Sequence, residues 1–429
     1  MTQLALFGGP PVRTTPLPRW NTIGAEEQVA ARRVLESGVL SGYVGAWSPA
    51  FYGGPEVQML ECAWAAYFGV RHAIAVNSAT SGLYAAIGAL GIGPGDEVIV
   101  SPCSMSASAT APLIYGAMPV FADIDPATYT LHPDTVERAI SARTRAILAV
   151  NLFGHPADLQ ALRQLARRHG IALIEDSAQA PGARYQDRYA GTIGEIGVFS
   201  LNCHKHIQTG EGGICVTNDD HLAERLQLIR NHAEAVVEAR PGIDLANMIG
   251  WNYRMTELTA AIGGTQLEKL PQVLEHKMRI AESLRAALHG IDGLTPPTVR
   301  PDCSHVYYTF PLQIDAQRLG ISRAQFTAAL HAEGIPIVER YVKPLYLAPM
   351  FQQRMAWGRD GFPFTADSGT TTARRYPVGL CATAERLYAE TLCYLPWCAY
   401  DFDTTAAQQV RDAIYKIVEQ RDALRAYQP

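Results

Sequence analysis

One lysine, Lys205, stands out among the residues that could carry out chemistry. The chain has 36 basic residues, but only five of them are lysine, and Lys205 is the only lysine among the first 268 residues. Arginine serves wherever a positive charge is sufficient, and it does not lose its proton in a protein. A lysine retained against this background indicates a need for a neutral, nucleophilic amine. A Schiff base is the commonest need of this kind.

Two further segments place polar groups beside predicted strand ends. Segment 77–82, Asn-Ser-Ala-Thr-Ser-Gly, leads from a strand into a helix, and its hydroxyl and N–H groups can bind an anion. Its serine or threonine can equally be a simple helix N-cap. Asp176 follows a buried strand, where a carboxylate can hold a cationic atom of a ligand or merely cap a loop. The residues alone leave these alternatives open.

Several common sites are absent from the sequence. Segment 91–95, Gly-Ile-Gly-Pro-Gly, is not a dinucleotide fingerprint, which argues against a nicotinamide dehydrogenase, and no Gly-Lys pair of a P-loop is present. His204 and His206 flank Lys205 without the partner spacing of a metal site, so no metal is expected. The eight cysteines contain no C-x-x-C pair and are expected to be buried, reduced thiols.

Composition and charge argue against several classes of partner. A chain of 429 residues that is 48% hydrophobic can form about two to three domains with a large core. The net charge of −5 gives no footprint for nucleic acid. No apolar run is long enough to span a membrane, and no secretory signal is evident. We therefore expect a cytoplasmic protein with no nucleic-acid or membrane partner.

The elements that must position these residues alternate between strand and helix. Short apolar runs predict strands at 73–76, 97–101, 120–124, 146–151, 171–175, 196–201 and 214–217. Helices are predicted at 26–37, 78–90, 107–115, 133–140, 158–169 and 220–230. This alternation is typical of an α/β fold with a mostly parallel, doubly wound sheet, which binds ligands outside the carboxyl ends of its strands.

The pattern changes after a Pro-rich boundary at 296–301. Beyond it we predict a strand near 305–314 and helices near 323–333 and 406–427, which together form a smaller C-terminal α+β domain. The predicted organisation is an N-terminal arm (1–20), a large α/β domain (21–295) and this small domain (296–429).

Seven motifs together resemble those of a known family. They are NSATSGL (77–83), PVFADID (119–125), NLFGHPAD (151–158), IEDSAQAPGA (174–183), GVFSLNCHKHIQTGEGG (197–213), RNHAE (230–234) and NYRMTELTAAIG (252–263). In this combination the sequence resembles the DegT/DnrJ/EryC1/StrS family of pyridoxal 5′-phosphate (PLP)-dependent sugar aminotransferases. The resemblance covers nearly the whole chain. It implies the fold-type I PLP-dependent transferase architecture, with PLP as the cofactor.

The resemblance also implies roles for residues that match the motifs. Lys205 would form a Schiff base with the cofactor, Asp176 would pair with its pyridinium nitrogen, and Gln179 would lie near its ring 3-oxygen. The phosphate would be held by Ser78, Ala79, Thr80, Ser81 and Ser200. Asn252 would reach the phosphate of the neighbouring subunit, which implies a homodimer with shared active sites.

One position departs from the family pattern. Family members usually carry an aromatic residue over the cofactor ring, where this sequence has Met105. A thioether can also pack against a π face, although the same methionine could be ordinary core filler. An aromatic stack on the cofactor therefore cannot be assumed here.

The resemblance implies transamination from glutamate or glutamine to a keto-sugar, nucleotide-linked or free, or to a keto-cyclitol, in amino-sugar or natural-product biosynthesis. Candidate substrate contacts are aromatic or cationic: Tyr43, Trp47, Arg254, Tyr341 and Lys343. The aromatic loops could equally be interface packing. Two alternatives on the same fold are a PLP-dependent sugar dehydratase, in which histidine replaces the lysine, and a non-catalytic regulator.

Overall fold

A seven-stranded sheet forms the centre of the larger part of the molecule in the computed structural model, which describes residues 3–365 and 374–428. Its strands are β1 (His72–Val76), β2 (Glu97–Val100), β3 (Met118–Phe121), β4 (Thr144–Val150), β5 (Ala172–Asp176), β8 (Ile196–Ser200) and β9 (Gly213–Thr217). A short hairpin of β6 (Arg184–Tyr185) and β7 (Arg188–Tyr189) lies between β5 and β8 in the chain. The spatial order of the sheet is β1-β9-β8-β5-β4-β2-β3.

Strand direction confirms the predicted mostly parallel sheet. The run from β3 through β2, β4 and β5 to β8 is parallel, whereas β9 pairs antiparallel with both of its neighbours, β8 and β1. Val98 and Val100 lie in one buried apolar cluster, and Ile99 between them lies in another. The sheet is therefore buried on both faces, which explains the continuous apolar runs of its strands.

Helices connect these strands. In the described part of the chain up to residue 290 they are α1 (Ala25–Ser37), α2 (Pro55–Phe68), α3 (Ala79–Ala89), α4 (Ala107–Ile114), α5 (Pro133–Ala139), α6 (Leu159–His169), α7 (Asp220–Arg230) and α8 (Glu257–Leu288). Short 3₁₀ turns lie at Ala5–Phe7, Pro49–Tyr52, Leu152–Gly154, Ala233–Ala235, Val237–Ala239 and Leu345–Leu347. Six of the eight helices match predicted ones to within two residues at either end.

Two of these eight helices, α2 and α8, were not predicted. In α2, Val57, Leu60 and Trp64 are buried at helical spacing, so this signal was available in the sequence. Helix α8 is 32 residues long and contains Pro271. A proline normally ends or kinks a helix, so the sequence pattern does not predict a continuous helix here. Packing against α1 and α2 supports this helix despite the proline. Thr256 caps its N-terminus by accepting the Thr259 N–H over 3.2 Å.

The strand predicted at 120–124 lies earlier, at Met118–Phe121. It includes Pro119, which cannot donate to a sheet hydrogen bond and is tolerated because β3 is an edge strand. A segment from the C-terminal part of the chain covers this edge. The Tyr376 hydroxyl donates to the Pro119 carbonyl over 2.8 Å.

The C-terminal part contains a second, antiparallel sheet of β10 (Leu294–Thr295), β11 (Phe310–Ile314) and β12 (Leu392–Leu395). Its helices are α9 (Ala316–Leu319), α10 (Arg323–Ala332), α11 (Pro349–Gln352), α12 (Ala382–Arg386), α13 (Thr404–Glu419) and α14 (Arg421–Leu424), with a π-helical turn at Leu387–Thr391. A smaller mixed C-terminal region is therefore present. The domain boundaries at residues 20 and 295 stay predictions.

The N-terminal arm packs on this C-terminal region. Leu4 is fully buried in the same apolar cluster as β11 and α13. The N–H groups of Ala5 and Val12 donate to the Glu333 carboxylate over 2.9 and 3.0 Å. No helix in the described part of the chain combines the length and apolar character that a bilayer crossing requires.

All eight cysteines are free thiols. Five are buried, but Cys62 and Cys203 are exposed and Cys303 is half-buried. The expectation that all of them are buried was therefore wrong, because Cys62 lies on the exposed side of α2 and Cys203 lies in the open loop that follows β8.

Candidate active site

Lys205 lies in the loop that follows β8. Backbone hydrogen bonds of 2.8–2.9 Å between residues 201–203 and 210–212 close this loop. The amine is half-buried, and its Nζ makes no hydrogen bond within the described part of the chain. Burial lowers the pKa of the Lys205 amine, and the negative charge of Asp176 opposes this effect. A larger fraction of the amine is therefore neutral. No hydrogen bond to a described residue competes with a ligand for it.

A tyrosine lies against this amine. Lys205 Nζ is 4.4 Å from the centre of the Tyr308 ring. The ring also lies 6.4 Å from the ring of His206. Tyr308 belongs to the stretch before β11, so the C-terminal region supplies one wall of the site.

Asp176 ends β5 with its carboxylate buried. The Ser108 hydroxyl donates to Asp176 Oδ2 over 2.8 Å, and the Ala178 N–H donates to Oδ1 over 3.1 Å. Ser104 Oγ lies 3.0 Å from Ser108 Oγ and continues the hydrogen-bonded chain. Burial raises the pKa of Asp176, whereas these two hydrogen bonds and the charge of Lys205 lower it. A cationic ligand atom would stabilise the ionised carboxylate further.

The N-terminus of α3 is the segment that the sequence predicts to bind an anion. Ser78 is its N-cap and accepts the Ser81 N–H over 3.1 Å. The N–H groups of Ala79 and Thr80 have no acceptor among the described residues. A Cβ at Gly213 would lie 2.5 Å from the Ala79 nitrogen, so only glycine allows β9 to approach the helix this closely. Both predicted functions of this segment, N-cap and anion site, are compatible.

Gln179 joins two parts of the site. Its Oε1 accepts the Phe153 N–H over 2.8 Å, and its Nε2 donates to the Tyr341 hydroxyl over 2.9 Å. The Tyr341 ring packs edge-on against Phe153, with 4.8 Å between ring centres. Tyr341, a predicted substrate contact, is thus hydrogen-bonded to a predicted cofactor contact.

Ser200 lies at the end of β8, and Asn252 lies in the segment before α8. Ser200 closes β8, is buried, and accepts the Asn202 N–H over 3.2 Å. Asn252 is exposed, and its Oδ1 accepts the Arg254 Nε–H over 2.9 Å. The Asn252 carbonyl accepts from the Asn77 side chain over 3.3 Å, so Asn252 and Arg254 lie beside the entrance to α3.

Met105 and Lys343 lie on adjoining loops. The Leu345 N–H donates to the Pro102 carbonyl over 2.9 Å, which fixes segment 341–345 against the loop that carries Met105. Met105 is 64% exposed, so it is not core filler. Lys343 is exposed and forms no hydrogen bond or ion pair with the described residues.

Tyr43 and Trp47 pack on their own chain. The Arg230 guanidinium lies 5.0 Å from the Tyr43 ring, and that of Arg240 lies 4.4 Å from the Trp47 ring. Burial raises the pKa of the Tyr43 hydroxyl. Neither ring makes a recorded contact with Lys205 in the described chain. Substrate contact by Tyr43 and Trp47 stays a prediction.

The two histidines beside Lys205 do not form a pair. His206 is fully buried, and its Nε2 lies 2.7 Å from the Val306 carbonyl. Burial lowers the pKa of His206 to about 3. His204 is exposed. Among the described residues no group of three or more candidate side chains could hold a metal ion.

Sequence reading missed Ser108 and Tyr308. Ser104 lies in the loop before α4 and Ser108 lies in the first turn of that helix, but nothing in the sequence connects either hydroxyl with Asp176. Tyr308 lies 103 positions after Lys205 in a segment predicted only as a strand, so its contact exists only in the tertiary structure.

The fold with this site defines a PLP-dependent aminotransferase of fold-type I. Comparison with known proteins supplies the family. The sequence model of the DegT/DnrJ/EryC1/StrS aminotransferase family matches residues 23–373. The chain belongs to this family.

Individual relatives are similar over most of their length. The spore coat polysaccharide biosynthesis protein SpsC of Bacillus subtilis is 34% identical over 347 residues, which are 80% of this chain and 86% of that protein. The crystal structure of S. venezuelae DesV in complex with a ketimine intermediate is 32% identical with a TM-score of 0.76, over 94% of this chain and 99% of that chain. The structure of DesI in the presence of its TDP-sugar product is 30% identical with a TM-score of 0.79, over 99% and 98%. These likenesses support function as a sugar aminotransferase.

The described residues fit the PLP expected for this family. The free N–H groups of Ala79 and Thr80 are donors that a phosphate would satisfy. The buried Asp176 carboxylate lacks a hydrogen-bonded cation, which a protonated ring nitrogen would supply. Lys205 offers an amine with a lowered pKa for the aldehyde carbon.

Proposed function

We propose that the enzyme transfers an amino group from glutamate or glutamine to a keto-sugar or keto-cyclitol, with Lys205 as the reacting amine. The observation that carries the proposal is this half-buried lysine. Its pKa is lowered, it has no hydrogen-bonding partner among residues 3–365 and 374–428, and it interacts electrostatically with Asp176. PLP, when bound, supplies an electrophilic aldehyde and a ring that accepts the electrons of a deprotonated carbon.

Lys205 serves two purposes in this proposal. Its neutral amine would hold the cofactor, and as a free amine it would take up and return the proton of the donor's α-carbon. Both tasks require an unprotonated amine near neutral pH, and burial favours that form. Arginine could not perform either task, because it does not lose its proton.

The remaining cofactor contacts orient the ring. Asp176 would hold the protonated ring nitrogen, with Ser108 and Ala178 stabilising the charged carboxylate through hydrogen bonds of 2.8 and 3.1 Å. Gln179 would lie at the ring 3-oxygen, kept in orientation by Tyr341 at 2.9 Å. Met105 would lie over the ring face. Its side chain is 64% exposed, so it is available to contact a ligand.

The phosphate contacts lie at the other end of the cofactor. Ser78, Ala79 and Thr80 at the start of α3 and Ser200 at the end of β8 would bind the phosphate. The unbonded N–H groups of Ala79 and Thr80 support this assignment, because helix N-termini favour anions.

The residues of the site define the substrate that accepts the amino group less narrowly than they define the cofactor. Lys343 is exposed and unpaired beside the Met105 loop, and Arg254 lies at the entrance to α3, so either could hold a carboxylate or phosphate oxygen. DesI is a relative solved with its TDP-sugar product, which supports nucleotide-linked keto-sugars as one class of acceptor to test.

A half-reaction assay tests the proposal. The PLP-loaded protein is mixed with L-glutamate or L-glutamine, and the conversion to pyridoxamine phosphate is followed by absorbance. Nucleotide-linked keto-sugars and free keto-cyclitols are then offered, and products are analysed by mass spectrometry. We expect Lys205→Arg to abolish both steps. Lys269→Arg is the matched control, because Lys269 forms ion pairs with Glu26 and Glu27 and donates to the Thr22 carbonyl, and none of these residues belongs to the candidate site.

Each outcome of this assay has a defined meaning. Full activity of Lys205→Arg would overturn the assignment. Amination exchanges oxygen for nitrogen, whereas a product lacking the elements of water would indicate the dehydratase. Failure to form pyridoxamine phosphate with any amino donor would indicate a non-catalytic regulator.

We also propose a homodimer in which Asn252 serves the partner's active site. Asn252 is exposed, and Leu245 and Ile249, close to it in the sequence, are 67% and 69% exposed, so this part of the surface offers apolar area that a second subunit could cover. Mixing inactive Lys205→Arg with Asn252→Ala subunits should restore partial activity, because one hybrid site receives both native residues. No restoration, in a dimer verified by sedimentation, would place Asn252 in its own subunit's site.

A further inference from the structure

We propose that Tyr308 is a positioning residue that holds the Lys205 amine over its ring face and stabilises the protonated form of that amine. This inference depends on one part of the proposed function, namely that Lys205 is the reacting amine. Its basis is the distance of 4.4 Å from Lys205 Nζ to the centre of the Tyr308 ring. A cation at this distance from an aromatic face is attracted by the ring quadrupole.

The backbone holds the Tyr308 ring in place. The Tyr308 N–H donates to the Phe153 carbonyl over 2.7 Å, and its carbonyl accepts the Cys398 N–H over 3.1 Å. A Cβ at Gly154, whose φ is +101°, would lie 3.0 Å from the Tyr308 nitrogen, so a glycine is required at this close approach. Tyr308 is therefore held from two sides, by the turn after β4 and by the segment after β12.

The hydroxyl of Tyr308 has no hydrogen-bond partner among the described residues. The part of the side chain that meets Lys205 is the ring face, and this distinction between ring and hydroxyl makes the proposal testable.

Four titratable groups face the Lys205 amine besides Tyr308. They are Asp176, Cys203, Cys398 and His206. Burial keeps His206 neutral, with a pKa of about 3, and raises the pKa of Cys398 to about 11. Asp176 forms no hydrogen bond with Lys205 in the described chain, so the Tyr308 ring is the group in contact with the charge.

This contact has a consequence for the reaction. A lysine that takes up a proton becomes an ammonium in a site whose burial disfavours charge. The Tyr308 ring offsets part of this penalty and keeps the ammonium at the place where the proton must be returned. Loss of the ring should lower the pKa of Lys205 by roughly 0.5 to 1.

The experiment measures the protonation of Lys205 in the cofactor-free protein. The protein is labelled briefly with acetic anhydride at a series of pH values, and the modified Lys205 peptide is quantified by mass spectrometry. Wild type, Tyr308→Phe and Tyr308→Leu are compared, and the exposed Lys343 serves as the internal reference amine. Tyr394→Leu is the matched control, a half-buried tyrosine of the same region without a recorded contact to Lys205.

We expect Tyr308→Phe to retain the wild-type pKa of Lys205 and Tyr308→Leu to lower it, with Tyr394→Leu unchanged. An unchanged pKa in a folded Tyr308→Leu protein, verified by circular dichroism, would overturn the proposal. So would an equal decrease in Tyr308→Phe, because the hydroxyl would then be the responsible group. If Tyr308→Leu does not fold, Tyr308→Trp replaces it and should keep or raise the pKa; a lower value would overturn the proposal. Since no substrate is present, the result is independent of whether the enzyme proves to be an aminotransferase.

Discussion

Replacement of Ser108 by alanine tests whether Asp176 is held ready for a cationic ring nitrogen. Ser108 Oγ donates to Asp176 Oδ2 over 2.8 Å, in a site where Asp176 is 5% exposed. A hydrogen bond to a charged group contributes about 1.5–3 kcal/mol, and about 1.4 kcal/mol corresponds to one pKa unit. Ser108→Ala should therefore raise the pKa of Asp176 by roughly 1 to 2, beyond the increase that burial already causes.

The assay is the affinity for PLP measured by absorbance across a series of pH values. Ionised Asp176 would bind the protonated ring nitrogen. The affinity for PLP should therefore be highest above the pKa of Asp176 and should decrease as the pH falls below it. In Ser108→Ala this decrease should begin roughly 1 to 2 pH units higher, which weakens affinity by about 10- to 100-fold at acid pH. Titration of PLP itself cancels, since both proteins bind the same ligand.

A neighbouring serine provides the control. Ser106 is exposed and makes no capping hydrogen bond, so Ser106→Ala should leave the pH curve of PLP affinity unchanged. Superimposable curves for wild type and Ser108→Ala would refute the assigned role of Asp176. A decrease in affinity that is equal at every pH would indicate a change in shape of the site and not in the ionisation of the carboxylate.

Met105 is 64% exposed, so peroxide should oxidise it in cofactor-free protein but not in PLP-loaded protein. Met59, which is 53% exposed on α2, should be oxidised in both. Equal oxidation of Met105 with and without PLP would contradict its position over the ring. His155 and His206 are buried with pKa values lowered to about 4 and 3, so the unfolded chain binds more protons below its own histidine pKa of about 6.5. Acid should therefore destabilise the protein: above that pH these two histidines have no effect, and between about pH 6 and 4 they lower the free energy of unfolding by roughly 2 to 3 kcal/mol per pH unit. Buried His305, whose pKa is also lowered, acts in the same direction. Denaturation curves that do not change over this range would contradict the assignment. Gly213→Ala should destabilise the protein by about 1–3 kcal/mol and weaken PLP binding, because the new Cβ would lie 2.5 Å from the Ala79 nitrogen at the start of α3. Thermal unfolding and PLP titration measure the two effects. Results identical to wild type would show that β9 shifts to make room for the added methyl group.

Much of the fold was predictable because the strands of a sheet buried on both faces are continuous apolar runs. Seven strands of the central sheet were predicted from such runs, and six helices were predicted between them from features such as capping residues at their ends. The exceptions have identifiable causes. The strand that contains Pro119 was placed too late, since the rule against proline in strands does not hold at a sheet edge. Helix α8 was not predicted because Pro271 normally ends a helix.

The candidate site divides in a similar way. Lys205, Asp176 and segment 77–82 could be selected from the sequence, because their residue types are tied to a chemistry and they lie next to predicted strand ends. Ser108 and Tyr308 could not be selected. Serine and tyrosine are common, and their importance lies in contacts of 2.8 and 4.4 Å with residues that are 68 and 103 positions away.

By itself the sequence determined which amine could react, because amino-acid composition exposes one lysine in a chain that otherwise uses arginine through residue 268. It also determined the order of strands and helices that carries this lysine, since hydrophobic patterning is local. Only the tertiary structure decided how the amine is tuned. Burial, the nearby charge of Asp176 and the Tyr308 ring act through distance and exclusion of water, and neither quantity is contained in the spacing of residues along the chain.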